Sequence, residues 1–212
     1  MNELALLQQE IVACERCPRL LANCREIARV KRRAYRDHEY WGQPVPSFGD
    51  PEARVLILGL APGAHGANRT GRMFTGDKSG EFLFRALHET GFASEDGVVL
   101  RDAYITASAH CAPPDNKPSR AELANCRPYL ERELNILKNL RVVVALGRIA
   151  FDTYLSIVKA RRKFGHTVVH DLSPILLASY HPSQQNTSTG KLTAKMLREV
   201  FEQARQCAKN GD

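Results

Sequence analysis

No stretch of this sequence stays apolar for long enough to cross a bilayer. Its longest apolar runs, Arg54 to Leu60 and Arg141 to Leu146, are strand-sized, far below the roughly twenty residues that a membrane helix needs. The N-terminus, Met1-Asn2-Glu3-Leu4, sets no basic stretch ahead of an apolar one, so no secretory signal is expected. Membrane and secreted classes are set aside, and a cytoplasmic, reducing location is expected. Internal repeats and low-complexity tracts are lacking as well.

What is present has a globular composition. Of 212 residues, 43% are hydrophobic and 25% charged, which fits a folded chain and argues against disorder. The length favours one core over two. Residues 1–212 therefore read as a single domain, with N-terminal helices over 1–40 and a core over 52–208. Charge is lopsided: 30 Lys+Arg against 23 Asp+Glu leave a formal net +7. Solubility alone accommodates such an excess, but its placement points towards a polyanion such as nucleic acid. Arg25, Arg29, Lys31, Arg32, Arg33 and Arg36 crowd one short segment, and Arg161, Arg162 and Lys163 form a second cluster.

The six cysteines are Cys14, Cys17, Cys24, Cys111, Cys126 and Cys207. An even count permits three disulfides, but a reducing compartment disfavours them. Cys14-Glu-Arg-Cys17 is a C-x-x-C that lets two thiolates reach one metal from a single turn, and Cys111 and Cys126 lie far downstream. Four thiolates from two distant pairs suit an iron–sulfur cluster or a four-cysteine zinc site equally well. A redox dithiol would follow a strand at a helix start. Here the C-x-x-C ends an N-terminal helix before any strand, so metal binding is favoured. Cys24 and Cys207 sit on helical apolar patterns and read as buried small hydrophobes.

Helices are expected over 3–13 and 18–36, followed by a Pro/Gly-rich connector over 42–51. Beyond it, strands at 54–60, 103–109, 142–146 and 175–179 alternate with helices at 79–90, 119–140, 147–158 and 190–208. Ser119-x-x-Glu122 forms a capping box, and Pro128 should kink or split the helix that it starts. Strand–helix alternation of this kind predicts an α/β fold with a mostly parallel sheet between helices. Ligands of such sheets bind beyond the carboxyl ends of the strands.

Three loops at those ends hold the least ordinary residues. The first runs from Gly59 to Gly80 and carries six glycines, which let backbone amides approach a ligand closely. It is neither a Walker A loop nor a G-x-G-x-x-G. The second is Ser108-Ala109-His110-Cys111-Ala112-Pro113-Pro114-Asp115-Asn116-Lys117-Pro118, and the third Ser179-Tyr180-His181-Pro182-Ser183-Gln184-Gln185-Asn186-Thr187.

These loops, in this order behind the C-x-x-C, resemble the uracil-DNA glycosylase superfamily, more narrowly its iron–sulfur-containing families 4 and 5. The likeness covers nearly the whole chain, from Cys14 to the helix after His181-Pro182-Ser183. Family 4 has a carboxylate in the second position of the first loop and an Asn after the Ile-Thr of the second strand. Leu60 and Ala107 stand there in this sequence. The insert from Gly63 to Arg72 and the run Phe74-Thr75-Gly76-Asp77 are instead similar to family 5, or type b. That resemblance implies a three-layer α/β/α fold around a mostly parallel four-stranded sheet. It also implies a 4Fe-4S cluster held by Cys14, Cys17, Cys111 and Cys126. The expected enzyme acts, as a monomer, on DNA containing uracil or other deaminated bases such as hypoxanthine.

A glycosylase extrudes the base and hydrolyses the bond between C1′ and the base nitrogen. Stabilising the charge that develops on the leaving base is the largest lever, and the resemblance gives that task to His181 rather than a mere bond to a loop carbonyl. Asn116 has an amide that reads a pyrimidine edge, or it caps the turn before Pro118. Phe74 either stacks on the extruded ring or packs beneath the glycine loop. Asp77 orients water or stabilises the sugar cation, with a helix N-cap as its plainer explanation. Gly59, Leu60, Ala61 and Gly63 are expected against the substrate, and Gln184, Gln185 and Asn186 in the gap that it leaves. Lys78 reads as a solvated lysine rather than a Schiff-base nucleophile, so a monofunctional enzyme is expected. Two alternatives remain: a stricter, family 4-like uracil enzyme, and a non-catalytic iron–sulfur DNA-binding module.

Overall fold

The computed structural model describes residues 3–209. Its centre is four parallel strands, β2 (Val55–Gly59), β3 (Ala103–Ala107), β4 (Val142–Leu146) and β6 (Ile175–Ser179). Each is a near-continuous apolar run because helices cover both faces of the sheet. Odd and even positions of β2 separate the two cores. Val55 and Ile57 face α4 (Lys78–Glu89) and α8 (Ala194–Lys209), packing with Leu83, Leu87, Leu197 and Phe201. Leu56 and Leu58 face the opposite layer, with Leu130 of α5 (Arg120–Ile136) and Phe151 and Tyr154 of α6 (Arg148–Ile157). Among the described residues no helix is long and apolar enough to cross a membrane.

Among the described residues the sheet has six strands rather than the expected four, in the order β1-β3-β2-β4-β6-β5. The additions are two-residue antiparallel edges, β1 (Phe48–Gly49) on β3 and β5 (Val169–His170) on β6. Two residues carry no periodicity to detect, and β1 lies within the connector. Gly49 makes that pairing possible. Its φ is +149°, and a Cβ there would sit 2.5 Å from the Ala103 carbonyl oxygen.

Three helices depart from expectation. α2 (Pro18–Val30) ends six residues early, with Lys31 at φ +54° and a 3-10 turn over Arg33–Tyr35. Continuing it would stack Arg29 on Arg33 and Arg32 on Arg36, like charges one turn apart. α5 starts on the capping box of Ser119 and Glu122 but runs unbroken through Pro128. Pro128 and Ala124, whose carbonyl loses its helical partner, are both exposed, so water takes the orphaned acceptor. The closing helix begins at Ala194 instead of 190, where the Thr193 hydroxyl accepts from the Met196 amide at 3.2 Å. A short helix α7 (Gln184–Ser188) precedes it, where a polar loop was expected. The remaining helices, α1 (Glu3–Val12) and α3 (Ala67–Thr70), lie before the sheet and in the first loop.

In register, Gly59 of β2 pairs with Ala107 of β3, and Leu146 of β4 with Ser179 of β6. The carboxyl ends of the parallel strands therefore finish along one line, and their loops meet above it.

Candidate active site

A cleft of about 710 Å³ opens at that line. Leu60, Ala61, Gly63, Phe74, Asp77, Asn116 and His181 all line it. Gly59 lies one step beneath, where a Cβ would come 2.8 Å from the Phe74 ring. The three loops read from sequence thus meet in one place. Phe74 has φ +54° and tilts its ring against His181, centroids 6.1 Å apart. It lines the cleft and packs on the glycine loop at once. Gly80 holds that turn: a Cβ there would lie 1.8 Å from the Phe74 carbonyl oxygen.

Asp77 caps α4, its Oδ1 accepting from the Gly80 amide at 2.9 Å. Its second oxygen is turned to the glycine loop, where Cβ atoms added at Gly63 and Gly66 would meet Oδ2 at 2.7 and 2.1 Å. Cap and cleft-facing carboxylate are therefore one side chain. The exposed neighbour, Lys78, does not line the cleft.

His181 follows β6 and is accommodated by Gly147, at φ +94°, where a Cβ would stand 3.1 Å from its own. Burial pulls its imidazole down to about 4, so the ring is neutral at ordinary pH. Asn186 turns back from α7 to donate to the His181 carbonyl at 2.8 Å. It therefore braces the histidine, while Gln184 and Gln185 stay exposed on the cleft wall. Asn116, at φ +55°, presents an exposed side chain to the cleft, and the turn over Pro114–Asn116 has no side-chain cap.

All six cysteines are free. Cys14, Cys17, Cys111 and Cys126 line one enclosed pocket with His110 and Tyr129 and with no carboxylate. N–H groups point at two of the sulfurs: Asn125 Nδ2 at 3.5 Å from Cys17 and the His110 amide at 3.4 Å from Cys126. Burial pushes the Cys17 thiol up and the Cys126 thiol up to about 12. Among the described residues no three His, Cys, Asp or Glu side chains converge on a single ion position. Four thiols with no carboxylate among them make a soft donor set. Cys24 is more than a buried hydrophobe: its sulfur accepts from the Ala112 amide at 3.2 Å and shares a hydrogen bond with Cys111. Cys207 is half-buried at the edge of the core.

The sequence reading did not place Arg32, Tyr35 or His65 at the cleft, which all of them line. The basic run around Arg32 was visible, but not its approach to the first loop, which depends on contacts between segments some thirty residues apart.

Fold and cleft define the class: an open α/β protein whose ligand site lies beyond the carboxyl ends of its strands. The chain belongs to the uracil DNA glycosylase superfamily, whose pattern matches residues 46–205. A type-5 uracil-DNA glycosylase of Thermus thermophilus is 49% identical over 211 residues, covering 94% of this chain and 96% of its own length. That of Pyrobaculum aerophilum is 45% identical over 203 residues, with 92% and 88% covered. The type-4 uracil-DNA glycosylase of the same organism matches less, 32% over 160 residues with 75% and 68% covered.

Proposed function

We propose that this chain is a DNA-repair enzyme of the type-5 kind, a uracil-DNA glycosylase that hydrolyses the N-glycosidic bond of uracil and leaves an abasic site. The observation that carries this is the meeting of Asp77, Asn116, Phe74 and His181 in one cleft, in a chain so similar to type-5 glycosylases. Phe74 stacks on the extruded ring. Asn116, free of any cap, exchanges hydrogen bonds with the edge of the base. His181 donates from a neutral ring to the oxygen where charge develops. A neutral imidazole suits this, because it keeps one ring N–H to donate while no charged ring has to be held in a buried site. The free side of Asp77 orients the attacking water and stabilises the sugar as it becomes cationic. Leu60 places no carboxylate in the first loop, and the apolar wall accepts hypoxanthine and related deaminated bases besides uracil.

Cys14, Cys17, Cys111 and Cys126 would hold a 4Fe-4S cluster, which serves as a structural tie between the N-terminal helices and the second loop. The enzyme acts as a monomer in the cytoplasm, and Lys78 forms no covalent adduct with DNA.

Single-turnover excision on oligonucleotides carrying uracil, hypoxanthine or undamaged thymine, with and without alkali, tests the whole reading. Release of uracil and hypoxanthine is expected, with strand breaks only after alkali. His181→Ala should lower the rate on the order of 10²-fold, as loss of one oxyanion donor does. Uracil release alone would support a stricter enzyme, and DNA binding without any release would leave a non-catalytic module.

A further inference from the structure

One wall of the cleft takes no part in the chemistry above. Arg32 and Tyr35, from the stretch after α2, and His65, from the first loop, line it. A frame holds them there. Arg69 donates to the carbonyls of His65 and Gly76 at 2.9 and 2.8 Å and meets His38 Nδ1 at 3.1 Å. Its guanidinium lies 4.0 Å from the centre of the Tyr35 ring. Tyr40 Oη lies 2.9 Å from His65 Nδ1 and holds that ring in orientation. Backbone amides of Trp41 and Gly42 donate to the carbonyls of Arg69 and Asn68, both at 3.0 Å. The basic stretch after α2 is thus fastened to the loop that carries Phe74 and Asp77.

The charge on this wall is unbalanced. Arg19, Arg54 and Arg148 pair with carboxylates elsewhere, whereas among the described residues no carboxylate pairs with Arg32. Its side chain is exposed and cationic. His65 is held below the ordinary histidine range by burial and by the neighbouring Arg32 and Arg69. An anion between Arg32 and His65 would relieve both. A nucleotide that enters the cleft brings one, because its base goes inward to Phe74 while its phosphodiester stays at the rim.

We propose that Arg32 and His65 clamp the phosphodiester flanking the extruded nucleotide, with Tyr35, Tyr40 and Arg69 as the frame that positions them. The clamp presupposes the uracil-DNA reading of the cleft. Phosphate contacts of this kind set register and carry no sequence information, so the clamp fixes where along the strand the nucleotide is drawn out.

The test pairs a variant with a substrate change. Oligonucleotides carry an uncharged methylphosphonate in place of the phosphodiester on either side of uracil, and kcat/KM is measured for each. In the unaltered enzyme, one of the two positions should lower kcat/KM by about tenfold, as loss of a charge-assisted hydrogen bond would. In Arg32→Gln the same methylphosphonate should cost less than about twofold, because the two changes remove one interaction. His65→Gln should shrink the penalty as well. Arg33→Gln removes an equal charge outside the cleft and should keep the full penalty. Arg32 is tied into the fold through its carbonyl, which accepts from the Tyr35 amide at 2.8 Å, and among the described residues no carboxylate pairs with its exposed side chain, so Arg32→Gln leaves folding intact. A penalty that adds in full in Arg32→Gln, or no penalty at either position in the unaltered enzyme, would overturn the clamp. Failure to release uracil from ordinary DNA would instead overturn the reading on which the clamp stands.

Discussion

Asp77 is the residue at which structural and catalytic readings meet, because each of its carboxylate oxygens faces a different group. Oδ1 caps α4 through the Gly80 amide, and Oδ2 faces the turn between Gly63 and Gly66. Asp77→Ala removes both at once and cannot separate them. Asp77→Ser can, since a serine hydroxyl also caps a helix and the loss of a cap costs about 1 kcal/mol. The serine variant should keep the melting temperature of the parent and lose excision by about 10²-fold or more, the scale of a general base. Excision at the parental rate would reduce Asp77 to a cap. Phe74, Asn116 and His181 were legible with Asp77 because each sits in a loop just past a strand, where open α/β sheets keep their ligands. Arg32, Tyr35 and His65 were not, because their place depends on Arg69 bonding across separate segments, and such bonds leave no local pattern.

Among the elements, the four parallel strands were readable from their apolar runs, and the misses have local causes. A two-residue edge such as β1 or β5 has no period. Pro128 is carried inside α5 with the carbonyl that it orphans, on Ala124, open to water, and exposure is not written in the sequence. A third feature, hidden until the elements pack, is a buried carboxyl between α1, β3 and α5. Glu133 Oε2 accepts from the Thr106 hydroxyl at 2.6 Å, and Thr106 in turn accepts from Ser47 at 2.8 Å. Gln8 and Tyr104 complete the surroundings, while Glu133 Oε1 is buried without a partner. Burial raises this carboxyl from an ordinary 4.5 to about 7. The folded state therefore binds a proton that the unfolded chain has released, and this group's contribution is lost as pH rises from about 4.5 through about 7. The shift corresponds to about 3 kcal/mol at most. Glu133→Gln keeps the shape without the titration. Its stability relative to the parent, measured by denaturant unfolding, should rise by roughly that amount between pH 5 and pH 8. An equal difference at both pH values would show that Glu133 does not titrate in this window.

For the molecule as a whole, the question is what fastens the N-terminal helices to the sheet. α1 packs Leu7 and Ile11 against Tyr129 of α5, and Arg19 of α2 meets Glu122 at 2.7 Å. Between these contacts lies the pocket of four thiols, where the start of α2, the loop after β3 and α5 come together. The cysteine spacing pointed to a metal, and the structure brings the four thiols to one pocket without converging them, among the described residues, on an ion position. The spacing left zinc and iron–sulfur open, because both take four thiolates. A cluster at this junction would cross-link segments about a hundred residues apart, so its loss should act on the assembly of the whole chain and not on the cleft alone. Cys111→Ala should therefore yield a colourless protein with little bound iron and poor solubility, against a brown, iron-loaded parent. A colourless parent with stoichiometric zinc would replace the cluster with a zinc site. Full iron in Cys111→Ala would mean that a different thiol closes the set. Cys24, already hydrogen-bonded to Cys111, is placed to do so, and Cys24→Ala combined with Cys111→Ala would then strip the iron.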